Sequence, residues 1–114
     1  MSQSAASVTV AYNSGDLLLQ QMEALLRQTR PLQEIIVVDN ASSDGTSALV
    51  AERFPQVTFL RMAENLGVGA GFAAGLRYAA LEKRHDWVWT FDQDSVPTGR
   101  GRTRPRAEST KGRW

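Results

Sequence analysis

The chain has 114 residues, 42% hydrophobic and 22% charged, with a formal net charge of +1 and no cysteine. That length holds one domain of ordinary globular composition, and the lack of cysteine excludes a disulfide framework and thiolate chemistry. No apolar run approaches a membrane span, and Met1-Ser2-Gln3-Ser4 lacks the basic and apolar parts of a signal peptide, so a soluble cytoplasmic protein is expected. The small net charge hides a division. Residues 1–97 carry seven Lys/Arg against eleven Asp/Glu; residues 98–114 carry six against one and contain no Val, Ile, Leu or Phe. Such a shift marks a boundary, and residues 98–114 read as a basic disordered tail.

The elements alternate along residues 1–97. Ser7–Tyr12, SVTVAY, is β-branched and alternating, which predicts a strand. Asn13 or Ser14 then caps a helix to about Gln28, with Leu18, Met22, Leu25 and Leu26 on one face. Glu34–Asp39, EIIVVD, has four consecutive aliphatics, the pattern of a strand buried on both faces. In NASSDGT, Ser43 or Asp44 caps a second helix to about Phe54. Val57–Arg61 is a third strand. A glycine-rich loop, AENLGVGAG, precedes a third helix with Phe72, Leu76, Ala79 and Ala80 at helical spacing. Trp87–Phe91 is the fourth strand.

This order, β-α-β-α-β-α-β, predicts an α/β fold: a parallel sheet in the order 3-2-1-4 with helices on its faces. Sheets of this kind bind ligands outside the carboxyl ends of their strands. Tyr12-Asn13, Asp39-Asn40, Asn65-Leu66-Gly67 and Asp92-Gln93-Asp94 should therefore converge on one edge. The opposite edge receives QTRPLQ, RFPQ and KRHD, which read as solvated turns, and His85 among them reads as a turn residue.

Asp92 and Asp94 stand one residue apart after the fourth strand. In an extended segment their side chains point the same way, and a hard cation, Mg²⁺ or Mn²⁺, would cancel their repulsion. The structural alternative is a turn or a helix cap. Asp39 fits a ribose or base contact and equally a turn carboxylate, whereas Asp44 fits a cap better than a ligand contact. The glycines of Asn65–Gly75 suit either close approach to a phosphate or tight helix–sheet packing. Gly69-Ala70-Gly71-Phe72-Ala73-Ala74 also matches a dinucleotide-binding pattern, but the segment MAENL separates it from its strand, where the fingerprint allows no gap. The tail arginines lack the interleaved aromatics of a single-strand binder, so no nucleic acid is expected.

VTVAYN, EIIVVDNASSDGT, ENLGVGAGFAAGLRYA and WVWTFDQDSVP together resemble the donor-binding half of family 2 glycosyltransferases with the GT-A fold. The resemblance covers about residues 7–97 and is nearest the rhamnosyltransferase and galactofuranosyltransferase branch. It implies inverting transfer from a nucleotide-diphosphate sugar, dTDP-rhamnose or a UDP-sugar, to a cell-surface polysaccharide or lipid-linked acceptor. It implies donor contacts at Tyr12, Asn13, Asp39, Asn40, Asn65, Gly67 and Asp92, with the metal on Asp92 and Asp94. Cytoplasmic placement, at or near the inner face of the membrane, goes with it. The family pattern stops at Pro97, before the segment that supplies its general base, so no catalytic base is assigned. A truncated or frameshifted product is expected, with an open fourth-strand edge through which copies could associate. Two alternatives stand beside this reading: a non-catalytic nucleotide-binding module and a nicotinamide-dependent oxidoreductase fragment.

Overall fold

The structure is a computed structural model that describes residues 4–27, 32–91 and 108–111. Its elements are β1 (Ala5–Ala11), α1 (Gly15–Leu26), β2 (Glu34–Asp39), α2 (Thr46–Arg53), β3 (Thr58–Arg61), α3 (Val68–Arg77), β4 (Trp87–Phe91) and β5 (Glu108–Lys111). α3 runs on into a single π-helical turn, Tyr78–Glu82. The sheet order is β3-β2-β1-β4-β5. The first four strands are parallel, as the alternating pattern predicts, in the expected order 3-2-1-4.

Side-chain alternation divides the core into two layers. Ile35 and Val37 of β2 pack with Leu18, Met22 and Leu25 of α1 and Val50 of α2. Ile36 and Val38 point the other way and join Val8, Val10 and Ala79, with Phe72 and Leu76 of α3 packed against them. A strand covered on both faces must be apolar at consecutive positions, which is why EIIVVD carries four aliphatics in a row. Each fully buried aliphatic side chain contributes about 1.5–3 kcal/mol.

α3 lies unusually close to the sheet. A Cβ added at Gly71 would stand 2.7 Å from a Val10 methyl, and one at Gly75 would stand 2.5 Å from a Val8 methyl. Of the two readings open for these glycines, tight helix–sheet packing is the one the structure supports. Gly69 and Gly71 both lie within α3 rather than in a strand-to-helix turn, which removes the basis for a dinucleotide fingerprint.

The structure departs from the sequence reading at four places. Leu26 is 42% exposed, so the apolar face of α1 ends at Leu25. Gly45, in the left-handed region at φ 86°, takes the N-cap position of α2 in place of Ser43 or Asp44. His85 is buried, not solvated. Within residues 98–114, read as wholly disordered, Glu108–Lys111 forms a strand antiparallel to β4, with Glu108 opposite Thr90 and Lys111 opposite Trp87. An open strand edge offers backbone donors and acceptors to any extended segment, and pairing of this kind needs no apolar side chains. The edge of β4 expected to be open is thus occupied by β5.

Candidate functional site

Strand register builds the site. Ala11, Asp39 and Arg61 end β1, β2 and β3 and stand side by side across the sheet. The Asn40 N–H donates to the Ala11 carbonyl at 2.8 Å, and the Met62 N–H to the Asp39 carbonyl at 2.8 Å. The three strands therefore release their loops at one level. Phe91 of β4 pairs with Thr9 of β1, and Asp92 is the next residue in the chain. Asp92 and Asp94 lie outside the described residues. No three His, Cys, Asp or Glu groups cluster to hold a metal among the described residues.

The loops are tied to one another by polar side chains. The Asn13 N–H donates to Ser42 Oγ at 2.9 Å, and Asn13 Oδ1 accepts from the Ser43 N–H at 2.8 Å. Asn13 holds a left-handed backbone at φ 47°, and Ala41 does so at φ 64°. A non-glycine residue in that region costs about 1–3 kcal/mol and needs surrounding structure to hold it. At Ala41 the turn brings Ser42 back onto Asp39. Asn40 is 2% exposed. Its Nδ2 donates to the Gly67 carbonyl at 2.9 Å, joining the second loop to the glycine-rich one, while its buried Oδ1 has no partner among the described residues. Asn65 Oδ1 accepts from the Gly67 N–H at 2.8 Å. Gly67, at φ 99° and ψ 162°, is the N-cap of α3, in a conformation essentially reserved for glycine.

Two aspartates organise this edge. Asp44 Oδ1 accepts from the Thr46 N–H at 3.0 Å and from its hydroxyl, and Oδ2 accepts from the Gly15 N–H at 3.4 Å. It thereby joins the N-termini of α1 and α2. The Thr46 hydroxyl, above all, holds the Asp44 carboxyl below its usual range. Asp39 is completely buried. It accepts from the Ser42 hydroxyl, from the Ser42 N–H at 3.2 Å, from Ser47 Oγ at 3.1 Å and from Arg61 Nη1. Arg61 Nη2 also donates to the Ser42 carbonyl at 3.0 Å.

The structure thus gathers Tyr12, Asn13, Asp39, Asn40, Asn65 and Gly67 at the carboxyl edge. Tyr12 is 45% exposed there, whereas Asp39 and Asn40 lie beneath the surface. Arg61 was missed as a site residue. The signal for it was present: it is the last residue of a strand whose carboxyl end faces this edge.

The opposite edge carries its own, partly buried cluster. Glu34 at the start of β2 accepts from Thr58 Oγ1 at 2.6 Å and from the Tyr78 hydroxyl at 3.1 Å, and its other oxygen lies 2.7 Å from His85 Nε2. Burial is the largest single influence on the Glu34 carboxyl and pushes its pKa up. The hydrogen bonds from Thr58, His85 and Tyr78 together outweigh burial and hold it below its usual value. Burial, then the bond to Glu34, raises the Tyr78 phenol.

A family model described as Glycosyl transferase family 2 matches residues 7–100. The chain is 34% identical over 91 residues to galactofuranosyltransferase GlfT1 of Mycolicibacterium smegmatis, covering 80% of this chain and 30% of that protein. It is 36% identical over 90 residues to succinoglycan biosynthesis protein ExoO of Rhizobium meliloti, covering 78% of this chain and 25% of that protein. Mannosyltransferase PcManGT from Pyrobaculum calidifontis, solved in complex with GDP-Man and Mn²⁺, superposes with a TM-score of 0.74 at 27% identity, covering 87% of this chain and 30% of that one. The chain therefore spans less than a third of the length of these relatives.

Proposed function

This chain belongs to glycosyl transferase family 2, and from that premise we propose that its carboxyl-edge crevice binds a nucleotide-diphosphate sugar. The observation that carries the reading is the convergence of the three described loops, cross-tied by Asn13, Asn40 and Asp44, at the carboxyl ends of parallel strands. The solved relative with GDP-Man and Mn²⁺ supports it. Tyr12, Asn13, Asp39 and Asn40 take the nucleoside, and Asn65 and Gly67 flank the donor.

Asp92 and Asp94 offer oxygen donors alone, which suits Mg²⁺ or Mn²⁺. A cation held there supplies charge neutralisation at the departing diphosphate. UDP- and dTDP-linked sugars are the proposed donors, and a polysaccharide or lipid-linked saccharide is the proposed acceptor. The proposed location is the cytoplasm, at the inner face of the membrane. After Asp94 the only carboxylate side chain in the sequence is Glu108, which β5 places opposite Thr90. A positioned base contributes about 10²–10⁴-fold to rate, so we propose donor binding without efficient transfer by this chain alone.

Calorimetric titration with UDP-, dTDP- and GDP-sugars, with and without Mn²⁺, tests the reading. Binding should need the metal, and Asp94→Asn should weaken it by about 2–4 kcal/mol in Mn²⁺, the cost of losing a charged metal ligand. Equal binding by the variant would remove the metal assignment. Acceptor-dependent turnover near 1 s⁻¹, an ordinary enzyme rate of about that size, would overturn the proposed lack of transfer.

A further inference from the structure

In the nucleotide-binding reading Asp39 meets the donor, yet its side chain is 0% exposed. Three of its hydrogen bonds fall on Oδ2, from the Ser42 N–H, Ser47 Oγ and Arg61 Nη1. The Ser42 hydroxyl takes Oδ1. A carboxylate oxygen has two lone pairs, so Oδ2 is over-subscribed, and because the whole side chain is covered no ligand can reach Asp39 unless a covering group leaves.

The covering groups are not equal. Ser42 is itself buried and is held from the other side by the Asn13 N–H. Ser47 belongs to the first turn of α2. Arg61 is long, comes from the last residue of β3 and has a half-exposed side chain. It contacts Ser47 Oγ and the Ser42 carbonyl as well as Asp39, so its guanidinium lies across the cluster. It is also the only Lys or Arg in the described carboxyl-edge segments, residues 12–14, 40–45 and 61–67.

Resting on the nucleotide-binding reading, we propose that Arg61 is a displaceable cover: a donor group of the nucleotide takes its place on Asp39 Oδ2 while the guanidinium turns toward solvent. The exchange is feasible on both sides. Asp39 keeps the hydrogen bonds of Ser42 and Ser47, so its charge is not left bare. The guanidinium is already half hydrated, so it loses little by leaving. An incoming ligand must wait for this movement, and a required conformational change slows association. Arg61 is thus a positioning residue: it holds Asp39 in one rotamer until the ligand replaces it.

The test is titration of the ¹⁵N-labelled wild-type chain with UDP and diamagnetic Mg²⁺, following the Arg61 Nε–Hε resonance and the backbone amides of Asp39 and Ser42. The Arg61 signal should move along the same binding curve as those amides. An Arg61 signal that stays fixed while the amides shift would overturn the cover and leave nucleotide binding intact. No amide shift at any UDP concentration would overturn both. In stopped-flow mixing, Arg61→Lys, which keeps the charge but loses the planar fork, should speed UDP association about tenfold, the scale on which conformational gating limits association. An unchanged association rate in a folded Arg61→Lys variant would also overturn the cover. If that variant does not fold, the wild-type resonance still decides.

Discussion

At the amino edge of the sheet, Glu34 is enclosed by Thr58, Tyr78 and His85, and His85 is itself buried. At the carboxyl edge, Asp39 is enclosed by Ser42, Ser47 and Arg61, and the arginine is half exposed. Both edges hold a carboxylate among hydrogen-bond donors, Asp39 wholly buried and Glu34 partly so. They differ in how exposed the partners are. His85 at the amino edge is buried and Tyr78 partly so; Arg61 at the carboxyl edge is exposed, as are Tyr12, Asn13 and Asn65 on the same edge. A carboxylate whose partners are all partly or wholly buried acts as a lock on the fold. One with an exposed arginine among its partners offers, in the proposed exchange, a way in for a ligand.

Glu34→Ala should separate the two edges most sharply. It leaves His85 and Tyr78 without their acceptor, and breaking a buried pair from one side costs about 3 kcal/mol or more. Urea unfolding should show that loss, while UDP affinity per folded molecule stays at the wild-type value. A parallel loss of affinity under native conditions would mean that the amino-edge cluster reaches the site.

Gly75→Ala tests the connection between the edges. The new Cβ would meet Val8 and Val38 methyls at 2.5 and 2.9 Å, and overpacking of this kind costs about 1–3 kcal/mol. The same helix carries Gly67 at one end and leads to Tyr78 at the other. Pushing it off the sheet should therefore raise hydrogen exchange at both edges. A response at one edge only would show that α3 does not couple them.

Acid should discriminate between two carboxylates by burial. Glu34 is held below its usual pKa in the folded chain. A depressed folded pKa gives stability that is present above the unfolded pKa and is lost as pH falls through the folded one. Thermal midpoints should therefore fall on acidification below about pH 5, and Glu34→Gln should flatten that fall. Asp44 is depressed as well, with its hydrogen bond from the Thr46 hydroxyl as the largest cause, but it is exposed to solvent. Asp44→Asn should change the slope less. A larger effect at Asp44 would reverse the ranking by burial.

The parts of this comparison that could be read in advance are those fixed by local pattern. Four aliphatics before Asp39 identify a strand covered on both faces, and the strand's end locates the carboxylate. Arg61 could not be tied to Asp39 by spacing, because their pairing is set by the register of β2 and β3. His85 looked solvated because its neighbours Lys83, Arg84 and Asp86 are charged. Its burial depends on Glu34, 51 positions away in the chain. The glycines of α3 admitted two explanations until the distances to Val8 and Val10 chose packing for Gly71 and Gly75. Composition of residues 98–114 carries no information about backbone pairing at an edge.

The smallest expected effect belongs to Asn40→Ala. The substitution removes the hydrogen bond from Nδ2 to the Gly67 carbonyl, and a bond of this kind contributes about 1 kcal/mol net. It also removes the buried Oδ1, which has no partner among the described residues, and relief of an unsatisfied group offsets part of the loss. The net change in global stability should therefore stay below about 1 kcal/mol. The local change should be larger. The Gly67 carbonyl also accepts from the Gly71 N–H at 3.2 Å, closing the first turn of α3, and without Asn40 that turn loses its tie to the second loop. Hydrogen exchange at the Gly67 and Gly71 amides should rise, with the amino-edge amides of Trp87 and Val88 unchanged. UDP affinity should weaken if the glycine loop flanks the donor. A global loss above about 2 kcal/mol, the scale of a lost buried network, would show that Asn40 holds the fold as a whole and not only the glycine-rich loop.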